Sequence, residues 1–166
     1  ITFLEAVGIN PVVVHGGGKA ITRALKESGI ETKFIKGMRL TDKQTMNVVE
    51  RVLSYEVNPR VVEAIERFGG KAKGFPGSKM LKCRKKLVPG EDGEPIDVGF
   101  VGEVIGVDTT QILECIANNI TPVLSPTACD EEGNFYNCNA DIAAAQVAIA
   151  LKARRLVFMS DVPGLM

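Results

Sequence analysis

Val12-Val13-Val14-His15-Gly16-Gly17-Gly18-Lys19 joins a β-branched run to three glycines and then, without a gap, to a helical pattern. Short apolar runs of this kind read as parallel strands buried on both faces. Glycines let the backbone turn sharply and approach a bound group, because no Cβ stands in the way. The first amides of the following helix would then face that group and favour an anion. The spacing is neither the Walker pattern nor the dinucleotide fingerprint. Two readings therefore stand on these residues: a phosphate or carboxylate site at a strand-to-helix turn, and a tight connection whose glycines serve packing.

Outward from this turn the chain alternates. Residues 11–15 read as a strand and 19–28 as a helix with an apolar stripe of Ala20, Ile21, Ala24 and Leu25, closed by Gly29. Residues 32–35 form a short strand. Met46, Val49, Leu53, Val57, Val61 and Ile65 recur at helical spacing over 43–68, with a kink or break expected near Asn58 because Pro59 follows. Short strands over 71–75, 80–84 and 98–104 are separated by Pro76-Gly77, Pro89-Gly90 and Asp92-Gly93, which are turn signals. A helix over 109–118, a strand over 121–125, an Ala-rich helix over 141–153 and a buried strand over 155–160 complete the pattern. This alternation predicts an α/β fold: a three-layer αβα sandwich with a mostly parallel open sheet and a β-hairpin insertion over about 71–104. Ligands in such sheets sit beyond the carboxyl ends of the strands, where residues 15–18 and Ser160-Asp161 fall.

Bulk properties narrow the function. Lys+Arg and Asp+Glu are both 20, so there is no basic excess of the kind nucleic-acid binders carry. The basic cluster Lys82, Arg84, Lys85 and Lys86 reads as a solvated hairpin face. No apolar run approaches the ~20 residues needed to span a bilayer. Cys83, Cys115, Cys129 and Cys138 form no Cys-x-x-Cys pair and lie far in sequence from the single His15, which argues against a zinc site or a disulfide scaffold. Buried free thiols in a cytoplasmic protein are the plain reading. Both ends read as cut, since the chain begins at Ile1 within a helical stretch and stops at Met166 after a Pro-Gly turn.

Three further clusters carry candidate chemistry. Asn137-Cys138-Asn139-Ala140-Asp141 precedes the Ala-rich helix. Alternating asparagines in an extended segment project to one side, and set two amides beside a carboxylate. This suits a polar ligand such as an amino-acid derivative, although Asp141 also reads as a helix cap. In Gly37-Met38-Arg39-Leu40-Thr41-Asp42, Arg39 is either a bidentate carboxylate clamp or a surface arginine at a helix entry, and Thr41 or Asp42 caps the long helix. The glycines of Val98-Gly99-Phe100-Val101-Gly102-Glu103-Val104 mark a bulge or a close approach.

In this order, the four clusters and the closing Ser160-Asp161-Val162-Pro163-Gly164 resemble the amino acid kinase family, and within it the branch that acts on N-acetyl-L-glutamate. The match runs over nearly the whole chain, and Asn137-Cys138-Asn139-Ala140-Asp141 is its most discriminating part. The resemblance implies transfer of the γ-phosphoryl group of ATP, with Mg²⁺, to the side-chain carboxylate of N-acetyl-L-glutamate, an acyl-phosphate step of arginine biosynthesis. It implies that Gly17 and Gly18 offer amides to the phosphoryl group and substrate, and that Arg39, Asn137 and Asn139 bind substrate. Asp141 would organise two catalytic lysines, and Ser160, Asp161, Val162, Pro163 and Gly164 would begin the nucleotide site. It also implies a homodimer or higher homo-oligomer, with the long helix near the interface.

On this resemblance, residues 1–158 form a substrate-binding lobe and 159–166 open a nucleotide-binding lobe. The family's two catalytic lysines fall outside residues 1–166, so a chain that binds substrate without turning it over is expected. Gly74-Phe75-Pro76-Gly77-Ser78-Lys79-Met80 departs from the Gly-Lys-Asp-Gly form of many relatives. A kinase for another amino-acid carboxylate and a non-catalytic small-molecule-binding lobe are the alternative readings.

Overall fold

A computed structural model describes residues 1–90 and 93–159. The first half runs α1 (Thr2–Ala6), β1 (Val13–Val14), α2 (Gly18–Glu27), β2 (Phe34–Ile35), β3 (Met38–Arg39), α3 (Lys43–Val52), a π-helical turn (Leu53–Val57), α4 (Asn58–Arg67) and β4 (Ala72–Phe75). A 3-10 turn (Gly77–Lys79), β5 (Leu81–Pro89), β6 (Pro95–Val107), α5 (Thr110–Ala117), β7 (Thr121–Leu124), β8 (Thr127–Cys129), β9 (Phe135–Cys138) and α6 (Ala140–Ala150) follow.

β1, β7 and β4 form a parallel sheet in that spatial order. The register sets Val123 between Val13 and Gly74, and Leu124 between Val14 and Phe75. Successive side chains point to opposite faces of a strand. Val14, Leu124 and Phe75 accordingly enter one core with Ile112 and Cys115 of α5 and Ala143 and Val147 of α6. Val13 lies on the other face, beside Val57, Val61 and Ile65 of the long helix, and Gly74 faces Asn58 and Val62. Helices cover both faces of a parallel sheet, which is the expected α/β sandwich with three strands at its centre.

β5, β6, β9 and β8 close into a small barrel beside the sheet. Its inward residues Cys83, Val104, Ala128, Tyr136 and Cys138 continue the core beneath the sheet. Two sequence expectations change here. Residues 71–75 are not part of the hairpin excursion, because β4 pairs with the buried strand β7 over its whole length. The excursion begins at Leu81, and β8 and β9 complete it. Their three and four residues are too short for alternation to reveal them.

The helical pattern over 43–68 is one rod of three segments. The break expected near Asn58 is a π turn, and Pro59 falls in the first turn of α4. A widened turn carries the hydrogen-bond ladder past the residue that has no N–H to give. Asp42 caps α3, its carboxylate accepting from Thr45 N–H at 2.7 Å. Thr41 is buried and donates its hydroxyl to the Arg39 carbonyl at 2.7 Å. Gly29, at φ +69°, closes α2 while Ile30 N–H bonds back to the Leu25 carbonyl.

The strand expected over 155–160 is not found: residues 155–159 are exposed and outside any strand. A strand exists only when a neighbour supplies its ladder, and the outer edge of β1 does not pair with it among the described residues. Ser160 lies outside the described residues. No described helix is long and apolar enough to cross a membrane.

Candidate functional site

Because β1, β7 and β4 are parallel, their carboxyl ends open along one edge. Residues 15–18 follow β1, residues 125–127 follow β7, and residues 76–79 follow β4. The long helical rod runs beneath all three.

His15 is 8% exposed and directly follows β1. Its Nδ1 lies 2.9 Å from the Gly16 carbonyl and its Nε2 3.2 Å from Asn58 Nδ2. Asn58 Nδ2 also donates to the Val123 carbonyl at 2.9 Å. An amide nitrogen only donates, so Nε2 accepts and Nδ1 carries the proton. Burial holds the imidazole pKa below its ordinary 6.5, which keeps the ring neutral. His15 is thus a structural bolt between β1, β7 and the rod.

Gly17 precedes the first turn of α2 with an extended backbone, φ 178°, which any residue adopts. A side chain there would have to displace the end of Leu53. A Cβ would stand 2.4 Å from Leu53 Cδ2 and 3.7 Å from Val57 Cγ2. Gly16 and Gly18 are exposed and have open space where a Cβ would stand. The turn is therefore pressed on the rod at Gly17 and open at its flanks. No side chain caps α2, and the first amides of a helix lack intrahelical partners. Unpaired amides at a helix start, together with the helix dipole, favour an anion.

Arg39 is 6% exposed, so the surface-arginine reading fails. Its Nη2 donates to Thr22 Oγ1 at 3.0 Å and approaches the Gly18 carbonyl at 3.5 Å. Its Nη1 donates to Thr32 Oγ1 at 3.2 Å. The guanidinium also lies 4.7 Å from the centre of the Phe34 ring. Burial draws its pKa below the ordinary 12.5, and it remains a cation. Thr22, Thr32 and Phe34 lock a positive charge against the glycine turn. Sequence reasoning named Arg39 and the glycines separately; the structure brings them together.

Asn137 lies on β9, paired with Val101 and Thr127. Asn139, not Asp141, caps α6: its Oδ1 accepts from Ile142 N–H at 3.0 Å. The cap position needs an extended residue just outside the helix, and Asp141 already lies inside the first turn. With Oδ1 engaged, Nδ2 of Asn139 is the donor left for a ligand. Asp141 is exposed and stands where the helix dipole favours a negative charge. α3 packs against β9, and α6 packs against β1. Ser160, Asp161, Val162, Pro163 and Gly164 lie outside the described residues. Among the described residues no group of three His, Cys, Asp or Glu side chains could hold a metal ion.

Sequence reasoning missed the polar face of the rod. Glu50, Ser54 and Asn58 are all buried, and recur every four residues alongside the apolar positions. That spacing was the available signal. The partners Ser78 of Glu50 and Ser125 of Ser54 lie in the segments after β4 and β7 and carry no local pattern.

The model of the amino acid kinase family matches residues 1–166. Acetylglutamate kinases from Akkermansia muciniphila and Archaeoglobus fulgidus are 45% and 46% identical to the chain over 168 and 171 residues. Each alignment covers 100% of this chain, but 56% and 59% of those proteins. The chain thus spans little more than half the length of the curated relatives it matches. The crystal structure of smu.665 from Streptococcus mutans UA159 superposes with a TM-score of 0.87 at 28% identity, covering 99% of this chain and 65% of that one.

Proposed function

The chain belongs to the amino acid kinase family, and from that premise we propose that the protein transfers the γ-phosphoryl group of ATP to the side-chain carboxylate of N-acetyl-L-glutamate. The observation that carries this reading is the buried Arg39 guanidinium fixed beside Gly18, at the open start of α2. A clamped cation next to unpaired helix amides suits a ligand with two anionic ends, one a carboxylate and the other receiving phosphate. The acetylglutamate kinases similar to this chain point to the same substrate.

In this reading Arg39 and Asn137 hold the substrate α-carboxylate, and Asn139 Nδ2 donates to the ligand. The side-chain carboxylate is its own nucleophile, so no general base is required. Its oxygen forms a bond to the γ-phosphorus as the bond from that phosphorus to the β–γ bridging oxygen breaks, and ADP leaves. Amides of Gly17 and Gly18 stabilise the phosphoryl group in flight. Asp141 orients the cationic groups that neutralise it, and residues 160–164 begin the nucleotide site. Mg²⁺ bound with the ATP phosphates would add to the charge neutralisation there. Residues 1–158 act as the substrate lobe, in a cytoplasmic homodimer with the long rod near the interface.

Calorimetric titration with N-acetyl-L-glutamate tests the reading. Saturable binding by the chain, lost in Arg39→Ala while the fold persists, is the expected result. Binding of an aminoadipate derivative in preference would move the assignment to another amino-acid carboxylate. No binding of either by the folded chain counts against a preformed substrate lobe.

A further inference from the structure

Glu50, Ser54 and Asn58 are 8%, 4% and 2% exposed, on a helical face that ordinarily carries apolar residues. Each reaches a different strand end. Asn58 meets His15 after β1. Ser54 Oγ lies 2.8 Å from Ser125 Oγ after β7. Glu50 Oε1 accepts from the Ser78 hydroxyl at 2.9 Å in the turn after β4. That turn is anchored twice more, since Gly77 N–H donates to Ser125 Oγ at 2.9 Å and Ser78 N–H to Thr127 Oγ1 at 3.2 Å. It also has no slack: a Cβ on Gly77 would lie 2.0 Å from the Ser125 carbonyl oxygen and 2.4 Å from that of Thr127.

Unlike the start of α2, this turn directs its first amides into the molecule, so it is not itself an anion cradle. Glu50 Oε2 is buried and has no hydrogen-bond partner among the described residues. An unmatched buried carboxylate oxygen is costly, and an apolar side chain at this helix position would avoid that cost. The carboxylate is thus explained by the turn it holds and not by the packing of the core.

We propose that Glu50 is a positioning residue which, acting through Ser78, fixes the Gly77–Lys79 turn to the same rod that supports Gly17, and so keeps the two strand-end turns in register around the ligand. The ligand part of this inference rests on the N-acetyl-L-glutamate reading above; the anchoring of the turn does not.

The test combines amide hydrogen exchange with titration of N-acetyl-L-glutamate, on the whole chain and its variants. Glu50→Ala and Ser78→Ala are each expected to speed exchange at Gly77 and Ser78 by about tenfold, the size of one lost hydrogen bond to a charged group, with β7 amides such as Val123 little changed. Affinity for N-acetyl-L-glutamate should fall by a similar factor, and the double variant should add nothing to either effect. Glu50→Gln retains Oε1 as acceptor and should restore both readouts. Faster exchange spread equally over β7, a turn-specific change without loss of affinity, or a Gln variant as impaired as Ala would each overturn the proposal. A wild-type chain that does not bind N-acetyl-L-glutamate removes the functional reading alone, and exchange in the turn still decides for or against Glu50.

Discussion

His15 shows how position sets chemistry at the scale of one residue. Both of its ring nitrogens are engaged inside the fold, by the Gly16 carbonyl and Asn58. Its folded pKa lies below the ordinary 6.5 because burial penalises the charged form. Below that pH the unfolded chain takes up a proton that the folded chain refuses. The stability contributed by neutral His15 is therefore complete above pH 6.5 and is lost as pH falls toward the depressed folded value. Urea unfolding between pH 7.5 and 5, as estimated from this linkage, should give a midpoint that declines over roughly that window. His15→Gln should flatten the decline. Asp42 acts in a lower window, since Thr45 N–H holds its carboxyl below the ordinary 3.8, and its contribution disappears only as pH falls through that depressed value. The sequence made His15 visible only as part of the glycine segment, and Arg39 as a candidate carboxylate clamp. It did not show that one is sealed and the other clamped, because burial comes from partners more than ten residues away, such as Asn58 and Thr22.

At the scale of the element, the π turn decides which residues face the site. The sequence shows its cause in Pro59 but not its form, since a kink and a widened turn share the same trigger. The extra residue lets Glu50, Ser54 and Asn58 all reach the strand ends. Asn58 is 2% exposed and pairs with His15 and the Val123 carbonyl, so Asn58→Ala leaves two buried groups without their partner. The expected outcome is a stability loss of about 2–4 kcal/mol, from stranding the buried groups that Asn58 now pairs. Denaturant unfolding measures that loss, and NMR titration should find the His15 pKa moved upward toward its ordinary value. The long helix and the central strands were legible because they are long or strongly apolar. β8 and β9 were not, because they are short and gain order only by closing the barrel.

At the scale of the molecule, alternation of strand and helix was enough to predict helices on both faces of a parallel sheet. The barrel was not legible as a closed object, because its closure rests on pairs such as Lys82 with Cys129, which are distant in sequence. Tyr55 and Phe68 are 62% and 77% exposed on the rod, and Val57, Val61 and Ile65 line an apolar hollow beside it. Apolar surface of this kind is a candidate association surface. Sedimentation equilibrium of the chain should give a dimer mass if the rod lies at the interface, and Phe68→Glu should shift it to monomer without lowering the melting temperature. A monomer mass for wild type at all concentrations would remove the dimer proposal.

The order β1-β7-β4 also constrains the timing of synthesis. Within this sheet β1 and β4 precede β7 in sequence and do not touch each other; β7 sits between them and pairs with both. On the ribosome, Val13 and Val14 must wait until Val123 and Leu124 emerge, some hundred residues later. Until then the β-branched segment is exposed without its neighbour, and long-range parallel pairing is slow to form. The strand that carries the glycine turn is thus made about a hundred residues before the strand that secures it.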